Sequence, residues 1–500
     1  MSTGLDEDEI LGAKYAPFSQ RKNMSSDPSQ SHHFDFIVIG GGSGGYAAAR
    51  TAHALGLSVA VVDGAEELAG RCILRGCMPS KTLIESADRN LSIRRASEFG
   101  LKAQSQGADI RAIRDRKRTL IADFASYRQQ QLEDGRFTLY RGYASFIDSH
   151  TLEVVPRDGS ASFQVKGKTF CVATGSVANV PPLPGLAEAG YWTSDDILDT
   201  DNLPETFAVL GGGAIALEMA HYLDGMDRKV TLIQRSQQFL TGLDPESSQV
   251  IEEAYTQRGI TCHLGTNIHR VSTVNGRKHI EYRHGEKECS VTVDQILVAM
   301  GRGPATDGLN LEAANVSLTK KKIAIQPTMQ STQPHIFAAG DVCSPLDVVH
   351  VAIQQGEVAA RNAHRLIQGQ AVDEMVDYRL LLFGVFSHPQ VAAVGAGEEE
   401  LKKAGTPFVT ASYPFNDHGK SMCMGETEGF VKMIAHQKTG EILGALCVGP
   451  HATDLIHEVV VAMHYRSRVQ DFLAIPHYHP TLSEIWTYPA EECAEQLATN

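Results

Sequence analysis

Short runs of β-branched and aromatic residues alternate along the chain with small, helix-forming stretches, and glycines punctuate the junctions. FDFIVIG (34–40) has the form of a buried parallel strand. GGGSGGYAAARTAHALGL follows as a helix, and SVAVVD (58–63) as a second strand ending in an acid, so the three make a βαβ unit. The same grammar returns in TFAVLGGGAIALEMAHYLDGMDRKVTLIQRS (206–236), an internal repeat. CVATGS (171–176), QILVAMGR (295–302) and HIFAAGDV (335–342) are apolar strands that end in glycine and a polar residue, where an open α/β sheet binds its ligands. Past residue 376 the pattern becomes longer and alternating, in FVKMIAH and GEILGALCVG, before the helical ATDLIHEVVVAMHYR (452–466). These shifts predict an extension over 1–33, nucleotide-binding segments at 34–195, 196–300 and 301–375, and an α+β unit at 376–500. Lys320, Lys321 and Lys322 read as a solvated turn.

Composition narrows the function classes. The chain has 500 residues, 42% hydrophobic and 21% charged, and no apolar run approaches the roughly 18 residues a transmembrane helix needs. Its net charge of −14 argues against a general attraction to nucleic acid or anionic lipid. Nine dispersed cysteines do not form the dense even framework of a small secreted domain, which points to a reducing compartment. The first residues carry acids where a signal peptide would carry a basic segment, and a cytoplasmic location is expected.

Gly40, Gly42 and Gly45 form G-x-G-x-x-G between the first strand and its helix, and Asp63 lies roughly twenty residues further on. The glycines allow a tight turn, close approach to a pyrophosphate and close helix packing, and the acid suits a ribose hydroxyl. The second copy is Gly211-x-Gly213-x-x-Ala216, so the chain reads as α/β with two Rossmann-like dinucleotide-binding domains and a C-terminal α+β dimerisation domain. Arg235 follows the second strand of that copy, where an NAD site would carry an acid; a 2′-phosphate partner favours NADP(H) over NAD(H), and a solvent-facing arginine is the competing reading.

Cys72 and Cys77, separated by four residues in GRCILRGCMPSK, lead into a helix beside Arg71, Arg75 and Lys81. A helix N-terminus and nearby cations favour the thiolate and so disulfide exchange; a zinc half-site and two inert buried thiols are the alternatives. No metal site is expected, because no second ligand pair at zinc spacing is present. In YHPTLSE, His479 precedes Glu484 by five positions, a spacing that lets a carboxylate orient an imidazole for acid/base work, although His477 and eighteen other histidines compete.

Taken together, GRCILRGCMPSK, ATGS, AMGRGP, AAGDV and HPTLSE resemble, in order, motifs of the FAD-dependent pyridine nucleotide-disulfide oxidoreductases, the group of dihydrolipoamide dehydrogenase, glutathione reductase and mercuric reductase. The resemblance covers about residues 34 to 490. It implies that Gly40, Gly42, Gly45, Asp63, Thr174, Gly175 and Asp341 serve FAD, and that Gly211, Gly213, Ala216, Arg235 and Gly301 serve NAD(P). It implies Lys81 and Glu218 as a pair beside the flavin, Cys77 as the thiolate against the flavin and Cys72 as the interchange thiol. His479, oriented by Glu484, would protonate the leaving thiolate in a homodimer that shares its active site.

The resemblance implies a small disulfide or dithiol substrate, dihydrolipoamide dehydrogenase-like or mercuric reductase-like, and the chain departs from both forms. Mercuric reductases end in a cysteine pair, whereas only Cys493 stands near this C-terminus. Dihydrolipoamide dehydrogenases usually carry an acid where Gln234 and Arg235 stand. A reductase of quinones, oxygen or metal ions with a secondary dithiol is the second expectation, and a non-catalytic flavin redox sensor a remote third.

Overall fold

The computed structural model describes residues 32–499. The extension expected over 1–33 therefore lies almost wholly outside the described residues; its last two, His32 and His33, already belong to the first strand, His32–Ile39, and pair with Val165 and Lys166.

That strand is the centre of the first sheet. It pairs in parallel with Val59–Val62 on one side, from Phe36↔Val59 to Ile39↔Val62, and with Phe163–Val172 on the other. Ile336–Ala338 adds a further parallel strand to Phe163–Val172, bringing a distant segment back to the same sheet. Phe36, Ile37 and Val38 are fully buried, as a parallel strand covered on both faces requires. The helix Ser43–Ala54 crosses the helix Val349–Ile367 so closely that a Cβ on Gly356 would lie 2.2 Å from the Gly44 carbonyl oxygen.

A second, four-stranded parallel sheet repeats the design with Thr261–His263, Lys229–Ile233, Thr206–Leu210 and Gln295–Val298. Its helix Ala214–Gly225 packs on the helix Cys77–Arg94, and at Gly225 a Cβ would come within 2.4 Å of the Ala87 Cβ. A three-stranded antiparallel sheet, Thr266–Val274, Arg277–His284 and Lys287–Val293, is appended to it.

The C-terminal unit is a five-stranded antiparallel sheet in the order Leu382–Val385, Gln390–Gly395, Ile442–Gly449, Phe430–His436, Phe408–Pro414. The helices Ala452–His464 and Thr487–Thr499 enclose a core with Phe415, Phe472 and Trp486. Cys493 is fully buried in that core, which removes it from surface chemistry.

The lysine run differs from the expected solvated turn. Lys320 and Lys321 do form a left-handed turn, with φ of 50° and 68°. Lys322 instead turns inward, its Nζ donating to the Ser344 carbonyl and the Asp347 carboxylate, both at 2.7 Å. It ties the loop after Ile336–Ala338 to the sheet edge. Among the described residues, no helix is long and apolar enough to cross a membrane.

Candidate active site

Both glycine turns have the backbone their sequences call for. Gly40 sits at φ +102°, and a Cβ there would lie 2.5 Å from the Ala173 carbonyl oxygen; at Gly45 it would lie 1.9 Å from that of Gly40. Gly42 caps the helix Ser43–Ala54 with no side-chain bond and no acid in the first turn, leaving N–H groups directed at an anion. Asp63, 8% exposed, accepts the Gly41 and Ala65 N–H groups, each at 2.7 Å. In the second copy Gly211 takes φ +127°, its Cβ position only 2.3 Å from the Ala299 carbonyl oxygen. Gly213 caps its helix in the same bare manner, and Ala216 is fully buried where the third glycine would pack.

The two copies differ where the second strand ends. Gly41 meets Asp63, whereas Gly212 meets Gln234, whose side chain would lie 2.8 Å from a Cβ there. The neutral Gln234 therefore fills the acid's place, and Arg235 is the next residue out. Arg235 is exposed and has no ion-pair partner among the described residues.

Two chain crossings between the sheets lie side by side as the antiparallel strands Ser176–Ala178 and Arg302–Pro304. They gather Thr174, Gly175, Gly301 and Asp341. Thr174 Oγ1 donates to the Ala305 carbonyl at 2.7 Å, Gly175 accepts the Ala305 N–H at 2.9 Å and Gly301 accepts the Asn179 N–H at 3.0 Å. Ser176 Oγ donates to Asp341 at 2.5 Å and accepts from Arg302 Nε at 2.7 Å. Arg302 is the residue here that the sequence reading missed, although it lies within AMGRGP.

Cys72 lies on the short helix Arg71–Arg75, and Cys77 is the first residue of the helix Cys77–Arg94, whose N-cap Gly76 supplies no side-chain bond. Gly76 lets the turn close: a Cβ there would already be 3.2 Å from the Cys72 Cα. The two thiols act on each other and are unequal. Cys77 is lowered to about 7, first by the Cys72 thiol and then by the charge of Lys81 against opposing burial, whereas Cys72 is raised by Cys77 and by burial. One turn further along, Lys81 Nζ forms a forked pair with Glu218 at 2.8 and 2.9 Å. Glu218 also accepts the Phe386 N–H at 3.1 Å, and Lys81 lies 4.6 Å over the Phe386 ring. Cysteine helix, second nucleotide unit and C-terminal unit thus meet at one ion pair. Glu218 turns toward the cysteine helix through its pair with Lys81.

His479 Nδ1 lies 2.9 and 3.1 Å from the two Glu484 oxygens. The His479 side chain is 77% exposed and that of Glu484 11%, so the imidazole is held from behind and open in front. His477 also pairs with an acid, Glu458 at 2.6 Å, but its side chain is only 7% exposed. No hydrogen bond or ion pair among the described residues joins His479 to the cysteine pair within one chain. Behind Glu484 lies a histidine that the sequence reading missed, His418, fully buried with Nε2 3.4 Å from Glu484 Oε1.

Two dinucleotide units, a polarised cysteine pair between them and an α+β unit carrying an exposed histidine–glutamate pair define the class of a flavin-linked disulfide oxidoreductase. The chain matches the pyridine nucleotide-disulphide oxidoreductases over residues 34–356 and their dimerisation domain over 383–490, and it belongs to that family. It is an FAD-dependent pyridine nucleotide-disulfide oxidoreductase. It is 32% identical to a dihydrolipoyl dehydrogenase of Chlamydia muridarum, over 91% of this chain and 96% of that protein. It is 31% identical to a mercuric reductase of Staphylococcus aureus, over 93% and 85%. Its fold matches a solved Cu(II) complex of the HOCl-induced flavoprotein disulfide reductase RclA from Escherichia coli with a TM-score of 0.79, at 23% identity over 94% of this chain and 99% of that one. The positive-φ Gly40, the bare helix N-terminus at Gly42 and the Asp63 and Asp341 carboxylates fit an FAD pyrophosphate and its polyol arms.

Proposed function

We propose that the protein is an NADPH-linked reductase of a small disulfide, acting through the Cys72–Cys77 pair, in the cytoplasm. The carrying observation is the inequality of the two thiols beside the Lys81–Glu218 pair. FAD, when bound, supplies the two-electron link between the nicotinamide and the cysteine disulfide. Gly40, Gly42, Gly45, Asp63, Thr174, Gly175 and Asp341 would hold it, and Gly211, Gly213, Ala216 and Gly301 the nicotinamide dinucleotide, with Arg235 on its 2′-phosphate. Lys81 neutralises the Cys77 thiolate once the pair is reduced, and Glu218 fixes the ammonium in place.

Cys72 is then the attacking thiol: it gives its proton to the neutral imidazole of His479 as its sulfur forms a mixed disulfide with one substrate sulfur, while the other substrate sulfur leaves as a thiolate. The leaving sulfur takes its proton from His479, whose imidazole Glu484 orients through Nδ1. The Cys77 thiolate attacks the mixed disulfide at Cys72, which releases the second substrate sulfur as a thiolate, protonated from solvent, and restores the Cys72–Cys77 disulfide. The 77% exposure of His479 and the match to the dimerisation domain support a homodimer in which each His479 serves the partner's cysteine pair.

Steady-state turnover of small disulfides with NADPH tests the reading. Cys72→Ser and Cys77→Ser are each expected to abolish it. Equal turnover of a quinone by the wild type and the double variant, with no disulfide turnover by either, would place the dithiol outside the reaction.

A further inference from the structure

We propose that His418 is a positioning residue for proton transfer: as a neutral, buried donor it fixes the Glu484 carboxylate and moderates its hold on His479. The proposal rests on reading His479 and Glu484 as the proton-transfer pair.

His418 is the residue before the short helix Gly419–Met424, 66 positions from Glu484, yet its ring faces the same carboxylate from the interior. It is fully buried, and its two nitrogens have separate environments. Nδ1 lies 2.8 Å from Ser421 Oγ, a hydroxyl able to donate. Nε2 has no hydrogen-bond partner, and the carboxylate facing it is Glu484, with Oε1 at 3.4 Å. With Ser421 donating to Nδ1, the ring proton sits on Nε2 and points at Glu484. The opposite tautomer would set a lone pair against a carboxylate inside the fold, and a buried polar group left in that state is costly.

The surroundings keep His418 neutral. Burial lowers its basicity, Glu484 opposes that effect and the nearby His479 adds to it. The remaining ring neighbour is Tyr488, edge-on at 6.3 Å and itself stacked on Tyr413 at 4.0 Å, whose hydroxyl donates to Asp417 at 3.0 Å. No cation of lysine or arginine pairs with Glu484 among the described residues. Glu484 is thus hydrogen-bonded by the exposed His479 and faced at 3.4 Å by Nε2 of the buried His418. A neutral donor anchors the carboxylate without cancelling its charge, which a lysine or arginine at that place would do.

Removing the inner donor leaves the whole carboxylate to His479, so the proton on that imidazole is held more tightly. His479 must start neutral to take the Cys72 proton, so the acid limb of the kcat/KM–pH profile for disulfide reduction is then expected to move to higher pH. His418→Phe preserves ring volume and deletes the donor; His418→Gln places an amide N–H near the position of Nε2 and is expected to restore the wild-type profile. The holoenzyme is assayed from about pH 5 to 9, with FAD content and Tm recorded for each variant. A shifted limb in His418→Phe that His418→Gln reverses supports the proposal. An unchanged limb in His418→Phe, or equal shifts in both variants, overturns it. His479→Gln is the control for the underlying reading: full turnover in that variant overturns the proton-transfer pair itself, whereas lost turnover with an unmoved His418→Phe profile overturns only the role of His418.

Discussion

In the proposed reaction six residues carry the chemistry, Cys72, Cys77, Lys81, Glu218, His479 and Glu484, and each is set by a neighbour more than by its own kind. Cys77 differs from Cys72 because it begins a helix, lies one turn from Lys81 and accepts from the other thiol. Its thiolate is present above about pH 7 and lost as pH falls through that value, whereas an ordinary thiol would change near 9.0. Alkylation of the reduced enzyme at Cys77 is therefore expected to rise with a midpoint near 7, and Lys81→Met to move that midpoint upward; mass-spectrometric rates across pH check both. At the proposed nucleotide site, Arg235 has no ion-pair partner among the described residues and Gln234 offers no charge. Arg235→Ala is expected to lower kcat/KM for NADPH by about ten- to a hundredfold, the worth of a charged hydrogen bond, and to leave NADH unchanged. Equal losses with both nucleotides would remove the 2′-phosphate from the role of Arg235.

Elements place these residues through close backbone contacts. The crossing of Ser43–Ala54 and Val349–Ile367 is set by Gly356, which has no space for a Cβ beside the Gly44 carbonyl. Gly356→Ala is expected to cost about 1–3 kcal/mol and to weaken FAD retention, read as lower Tm and flavin loss on dilution. A Tm within a degree of wild type would contradict that packing. Much of this scale is legible in the sequence. Both βαβ units follow from glycine spacing, because a turn that tolerates no Cβ leaves its mark on residue type. The polar, alternating strands from Thr266 to Val293 leave no such mark, since their solvent faces constrain charge only weakly. Lys322 shows the same limit: a lysine run looks solvated until a distant Asp347 turns one member inward. His418 is illegible for a similar reason, as nothing local distinguishes it among 20 histidines and its partner is 66 positions away.

At the scale of the molecule, the His479 side chain looks outward from its own chain, and no hydrogen bond or ion pair among the described residues joins it to that chain's cysteine pair. A mixed dimer of Cys72→Ser and His479→Gln subunits separates a shared site from a self-contained one. If the site is shared, each mixed dimer holds one intact site, and random reassociation of the two inactive parents is expected to recover about a quarter of wild-type activity. No recovery would put His479 and Cys72 of the same chain in one site. The central claim, that electrons from the nicotinamide reach the substrate through Cys72 and Cys77, is tested most directly by anaerobic titration of the holoenzyme with NADPH. One equivalent is predicted to raise a long-wavelength thiolate-to-flavin absorption band while the flavin band persists, and Cys77→Ser to abolish the new band. Bleaching of the flavin band without any long-wavelength absorption would contradict the account.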